Sequence, residues 1–96
     1  MNLEQANVIR QQIGNGALYM IGAKSFSYTE EYFSFRIRGS KKVNYIRIYL
    51  NEKDLYDIEY GKIRGMNYKK VSNITDVYFD QLRDSIEENT GLITCF

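Results

Sequence analysis

Arginine and tyrosine in one alternating pattern are the residue types here best placed to do chemistry together. Tyr32–Arg38 alternates, with Phe33, Phe35 and Ile37 facing one way and Ser34, Arg36 and Arg38 the other. Asn44–Leu50 repeats the pattern, with Ile46, Ile48 and Leu50 on one side and Tyr45, Arg47 and Tyr49 on the other. Paired as a hairpin, the two segments put Arg36, Arg38, Arg47, Tyr45 and Tyr49 on one sheet face, and Lys41 and Lys42 fall in the connection. Guanidinium forks bind phosphate and tyrosine rings stack on unpaired bases. The face is therefore a candidate platform for single-stranded nucleic acid. Arg36, Arg38, Lys41, Lys42 and Arg47 would take phosphates, and Tyr45 and Tyr49 would take bases. The plain alternative is a solvated face whose amphipathic stems cover the pleat. A third is that an acidic last helix packs close by and neutralises it.

Acid–base and metal chemistry find less to work with. Asp57 and Glu59 share a strand face, with Lys62 nearby, and faintly suggest a divalent-cation or nuclease-like cluster. Their spacing matches no established motif, and no acid lies between Glu31 and Glu52 to complete a set. A charged, solvated strand face is the expectation. Glu30-Glu31 and Glu87-Glu88 read as solvated turn and helix-end charges. The chain has no histidine, which excludes His-based triads, His–metal sites and imidazole acid–base pairs. Gly14-Asn15-Gly16 follows a helix and lacks a third glycine, so it is no dinucleotide fingerprint. There is no phosphate loop, and no Ser or Tyr nucleophile has an evident base. Asn73-Ile74-Thr75 fits a glycosylation sequon but reads better as the lead-in to a helix cap. Cys95 is the only cysteine, so no intrachain disulfide forms, and no base near it in sequence would activate it. No enzyme activity, cofactor or metal is expected.

Charge distribution says more than net charge. The 13 Lys+Arg and 12 Asp+Glu nearly cancel. Residues 36–70 nevertheless carry ten bases against four acids, a net +6, while residues 76–96 carry five acids and one base, a net −4. Nine tyrosines are more than so small a domain can bury, and Tyr and Arg are favoured at protein–protein hot spots. The 96 residues suit a single domain, 1–96, and 44% apolar with 26% charged residues fits a folded globule. No apolar run approaches the roughly 20 residues that cross a bilayer, so no membrane contact is expected. Met1-Asn2-Leu3-Glu4-Gln5 has an acid where a signal peptide carries bases. A reducing, cytoplasmic location follows from that and from cysteine usage.

The elements that must hold these residues can be read from periodicity. Asn2 and Gln5 form a capping box, and Leu3, Ala6, Ile9 and Ile13 recur at helical spacing, giving a helix over Leu3–Ile13 that Gly14 stops. Ala17–Ile21, a short apolar run bounded by glycines, reads as a strand. Gly22-Ala23-Lys24-Ser25 breaks it, Phe26-Ser27-Tyr28 resumes alternation, and Thr29-Glu30-Glu31 is a polar turn. The 32–50 hairpin follows, with Gly39-Ser40-Lys41-Lys42 as its connection. Asn51–Asp54 is a turn. Tyr56, Ile58 and Tyr60 alternate as a fourth strand, and Gly61 marks a bulge because Ile63 is out of phase. Met66–Val71 is a weaker fifth strand. Thr75 caps the last helix, with Ile74 and Phe79 as its staple, Asp76 in the first turn, and Tyr78, Phe79, Leu82 and Ile86 as its apolar stripe. Gly91 ends it. The fold class is α+β: a single antiparallel sheet of four to five strands with an N-terminal and a C-terminal helix, in the order α-β-β-β-β-(β)-α. The sets Phe33, Phe35, Ile37; Ile46, Ile48, Leu50; and Tyr56, Ile58, Tyr60 line one face, covered by Leu82 and Ile86.

Several ordered blocks carry a resemblance. Ile9-Arg10-Gln11-Gln12-Ile13-Gly14 is followed by Met20-Ile21-Gly22-Ala23-Lys24-Ser25-Phe26. Ile48-Tyr49-Leu50-Asn51 precedes Asp54-Leu55-Tyr56-Asp57-Ile58-Glu59-Tyr60. Val77-Tyr78-Phe79-Asp80-Gln81-Leu82 and Thr90-Gly91-Leu92 close the series. Together they resemble a family of small uncharacterised proteins of bacterial phages and mobile genetic elements. Ile21 stands where that family usually has Thr, and Ser25 where it usually has Asn. The resemblance implies a phage or mobile-element origin and a bacterial cytoplasm, and it carries no catalytic residue. Two functions compete. The first is a non-catalytic protein-binding module, such as an antagonist of a host defence or regulatory complex, or a protein that self-associates as a homodimer. The second is single-stranded nucleic-acid binding on the face of the 32–50 hairpin.

Overall fold

A computed structural model describes residues 1–38 and 40–92. Asn2 accepts from the Gln5 N–H while the Gln5 side chain accepts from the Asn2 N–H, closing the expected box over α1 (Leu3–Ile13). Then come α2 (Asn15–Met20), β1 (Lys24–Tyr28), β2 (Tyr32–Arg36), β3 (Tyr45–Leu50), β4 (Tyr56–Arg64) and β5 (Asn67–Val77). A 3-10 turn at Phe79–Gln81 leads into α3 (Leu82–Thr90), which Gly91 ends at φ 75°. Each strand pairs antiparallel with its chain neighbour, so the sheet order is β1-β2-β3-β4-β5. The architecture is α+β, as periodicity implies. No helix among the described residues is long and apolar enough to cross a membrane.

Apolar alternation sets which face is buried. Phe33, Phe35, Ile37, Ile46, Ile48, Tyr56, Ile58 and Tyr60 are all buried, while Arg36 is exposed. Leu50, at the end of β3, is 39% exposed and lies at the edge of this set instead of within it. Ile9 and Ile13 of α1, Leu18 of α2, and Leu82 and Ile86 of α3 complete the core, so both terminal helices cover one side of the sheet. The buried phenols are satisfied: Tyr60 bonds Ser85 and Tyr56 donates to Gln12. Burial pushes both phenols above their ordinary pKa, against the opposing pull of those bonds.

Three expectations change. Ala17–Ile21 is not a strand: residues 15–20 form α2, whose first bond runs from the Leu18 N–H to the Gly14 carbonyl. Ala17, Leu18 and Ile21 are buried together because one helical turn also brings those positions to one side, and a five-residue apolar run fits either period. Gly14, at φ 93°, turns the chain between the two helices.

The fifth strand does not stop at Val71. It runs to Val77, so Thr75 is a strand residue and not a cap, and Asn73-Ile74-Thr75 lies within the sheet. β4 offers ladder partners along its length, from Arg64–Asn67 to Tyr56–Val77, with two register shifts on the way. Asp76 has φ 58° at a register shift, where its N–H donates to Asp57 and its carboxylate takes Asn51 and Lys53. The acid expected at a helix dipole is thus bound to the β3–β4 turn. Consequently the last helix starts later, and only Leu82 and Ile86 of its expected stripe are buried; Tyr78 and Phe79 are 55% and 59% exposed. Cys95 and Gly39 lie outside the described residues.

Candidate nucleic-acid interface

Cross-strand register assembles part of the expected platform on the side of the sheet away from the helices. Arg36 pairs with Tyr45, Ser34 with Arg47, and Tyr32 with Tyr49. Arg47 does not point at an incoming phosphate, however. Its guanidinium lies 4.7 Å from the Tyr32 ring centre, 5.3 Å from Tyr45 and 4.8 Å from Tyr68, with the Glu59 carboxylate 3.6 Å away. Burial penalises its charge, and hydrogen bonds to Tyr45 and Tyr49 more than offset that penalty, so its pKa rises further and it stays charged. The rings close on the arginine instead of lying open. Tyr45 meets Tyr68 edge-on at 5.7 Å, and Tyr32 meets Tyr49 edge-on at 5.4 Å.

The remaining platform residues separate. Arg36 stays exposed beside Tyr45. Arg38 leaves the ladder: its N–H bonds the Ile21 carbonyl, and its stem lies where a Cβ on Gly22 would be 3.1 Å away. Lys41 and Lys42 are exposed in the β2–β3 connection, and the Lys41 carbonyl accepts from Lys62 Nζ at 2.5 Å. The two acids weighed for a cation are both engaged. Asp57 accepts from the Asn51 amide and the Asp76 N–H, and Glu59 holds Arg47 and the Tyr68 hydroxyl. It is Glu59 of β4, not the last helix, that supplies the carboxylate to Arg47.

A second cluster forms where the β2–β3 connection meets the free end of the β4–β5 hairpin. Lys42, Lys62, Arg64, Lys69 and Lys70 line a groove of about 540 Å³, together with Asn67, Tyr68 and Val71. Lys62 stands directly opposite Lys69. Among the described residues no acidic side chain lines this groove. Gly61 shapes its wall. β5 carries one extra residue, Val71, between the partners of Gly61 and Tyr60, and the Tyr68 ring lies so close over Gly61 that a Cβ there would be 2.1 Å from it.

Lys62, Arg64, Lys69 and Lys70 belong to the basic segment of the sequence, but periodicity alone does not join them to Lys42. The available signal was Gly65-Met66. Taken as a two-residue hairpin turn, it places Arg64 opposite Asn67 and Lys62 opposite Lys69 by counting rungs outward. The chain matches no protein-family model, and neither the curated proteins nor the solved structures contain a significant match to it.

Proposed function

We propose that the protein is a non-catalytic nucleic-acid-binding module whose phosphate contacts come from the β4–β5 end of the sheet. One observation carries this reading: five cationic side chains line one groove, and among the described residues no acidic side chain lines it with them. Lysines directly opposite each other in a sheet cost a few tenths to about 1 kcal/mol. A polyanion removes that cost for Lys62 and Lys69 and gains from the counterions it releases. The Tyr–Arg face, by contrast, has satisfied its central guanidinium internally, which favours the groove as the contact region. The blocks that resemble the phage and mobile-element family support an origin in such an element and a bacterial cytoplasm as its setting.

The test is a fluorescence anisotropy titration of the protein with labelled DNA, single-stranded and duplex, at two salt concentrations. Each phosphate contact contributes a log–log salt slope of about −0.7 for single strands and −0.9 for duplex. Replacing Lys69 and Lys70 together by Ala is expected to flatten the slope by about two contacts, and Arg47→Ala is expected to leave it unchanged. No binding of either form at about 50 mM salt, or a slope indifferent to the double variant, defeats the reading.

A protein partner is the second reading, favoured by a separate surface. Tyr78 and Phe79 are exposed, and Phe79 shares a shallow groove with Val8 of α1, bordered by Asp80 and Asp84. Exposed Tyr78, Phe79 and Val8 among these polar neighbours support contact with another protein or a second copy of this chain.

A further inference from the structure

We propose, building on the nucleic-acid reading above, that the ligand is double-stranded B-form DNA and that the tip of the β4–β5 hairpin enters its major groove. β3 begins at Tyr45, opposite Gly61. The rungs Lys62–Lys69, Ile63–Tyr68 and Arg64–Asn67 therefore continue past the last rung of β3 as a two-stranded ribbon. Three rungs extend about 10 Å at roughly 3.4 Å per residue. The major groove is about 8.5 Å deep and 12 Å wide, which admits such a ribbon, whereas the minor groove, about 6 Å wide, does not.

The ribbon has what that groove recognises. At its tip, Gly65 has φ 59° and Met66 does not share that region, the pattern of a glycine-first two-residue turn. Met66 is fully exposed there. An apolar side chain at the leading point of a basic ribbon matches the thymine methyl group on the groove floor, and the adjacent Arg64 has the fork that reads guanine O6 and N7. Lys42, Lys69 and Lys70 line one groove with Arg64, behind the tip, where they would meet the phosphates bordering the groove. The ribbon's root is braced. The Asn44 side chain donates to the Ile63 carbonyl at 2.8 Å and accepts from the Ile63 N–H at 2.7 Å, while its backbone N–H bonds the Gly61 carbonyl, so a side chain carries the β3–β4 bonding one step further along β4. A ribbon held this way is ordered before binding.

Other forms of nucleic acid fit less well. Single strands need free rings for their bases, and Tyr45 and Tyr68 are held by each other and by Arg47. The A-form RNA duplex has a major groove too narrow for side chains to read.

Three labelled probes of one mixed sequence, about two helical turns long, separate these cases by anisotropy: a DNA duplex, the matching RNA duplex and one DNA strand. The DNA duplex is expected to bind at least about 10-fold more tightly than the others, and Arg64→Ala to weaken it by about 5-fold or more. Met66→Ala is expected to weaken the same probe while leaving the circular dichroism spectrum unchanged. Methyl green, which occupies the major groove, is expected to compete, and netropsin, which occupies the minor groove, is not. A single strand bound as tightly as the duplex overturns the ribbon proposal and leaves the nucleic-acid reading standing. Competition by netropsin alone does the same. Failure of all three probes to bind overturns both.

Discussion

At the scale of single residues, Gly61 is the position with least room to change. A Cβ there would stand 2.1 Å from Tyr68 Cε1 and 2.4 Å from its hydroxyl oxygen. Gly61→Ala therefore has to unseat the Tyr68 ring, which is one wall of the Arg47 enclosure and is bonded to Glu59. The expected cost is about 1–3 kcal/mol, read as a lowered urea midpoint with unchanged slope. A midpoint equal to that of the parent protein would show that the ring moves aside freely. The phase change at Ile63 was enough to mark Gly61 as irregular from sequence. Its partner ring was not legible, because Tyr68 reaches Gly61 only through the two-residue turn at Gly65-Met66. The same limit applies to Arg47. Alternation placed it on the open face with Tyr45 and Tyr49, but Glu59 becomes its partner only once β3 and β4 are in register.

Among the elements, the β4–β5 hairpin is the one whose stability and proposed function pull in opposite directions. Lys69→Glu puts an acid opposite Lys62 and replaces repulsion with attraction. A stabilisation of about 0.2–1 kcal/mol is expected, seen as a melting temperature raised by a few degrees, together with weakened DNA binding. A lowered melting temperature would mean that Lys69 has a structural partner the pairing does not explain. The elements also differ in how far sequence specified them. The β2–β3 hairpin was legible because strict period-two alternation fits only a half-buried strand. The Ala17–Ile21 run was not, since five apolar residues satisfy a strand or a helical turn equally. The end of β5 is hidden for a local reason: Ile74, Thr75, Asp76 and Phe79 imitate a staple and cap. The competing ladder is supplied by β4, which is distant from any local pattern.

For the molecule as a whole, four phenols give stability a defined alkaline limit. Burial pushes Tyr49, Tyr56, Tyr60 and Tyr68 above the ordinary value of 10, and at Tyr68 the bond to Glu59 adds to the effect. Below about pH 10 the phenols are protonated in both states, and the contribution is fully present. As pH rises through that value the unfolded chain releases protons that the folded chain retains, so stability falls until the folded phenols also ionise. Urea midpoints are expected to stay level from about pH 8 to 9 and to drop steeply above about pH 10. A level midpoint through that range would mean that the phenols ionise equally well when folded. The sequential sheet has a consequence of another kind, in the order of events. Every rung joins neighbours in the chain, so the sheet is built from short loop closures. The helical layer is different: Arg83 of α3 donates through Nε to the Ile13 carbonyl of α1, a bond spanning 70 residues at 2.6 Å. Joining the two ends of the chain is therefore expected to come late, after the folding barrier. Arg83→Ala is expected to leave the refolding rate nearly unchanged and to speed unfolding by about 5-fold for each kcal/mol lost. A refolding arm slowed by the same factor would place the meeting of the two ends at the barrier itself.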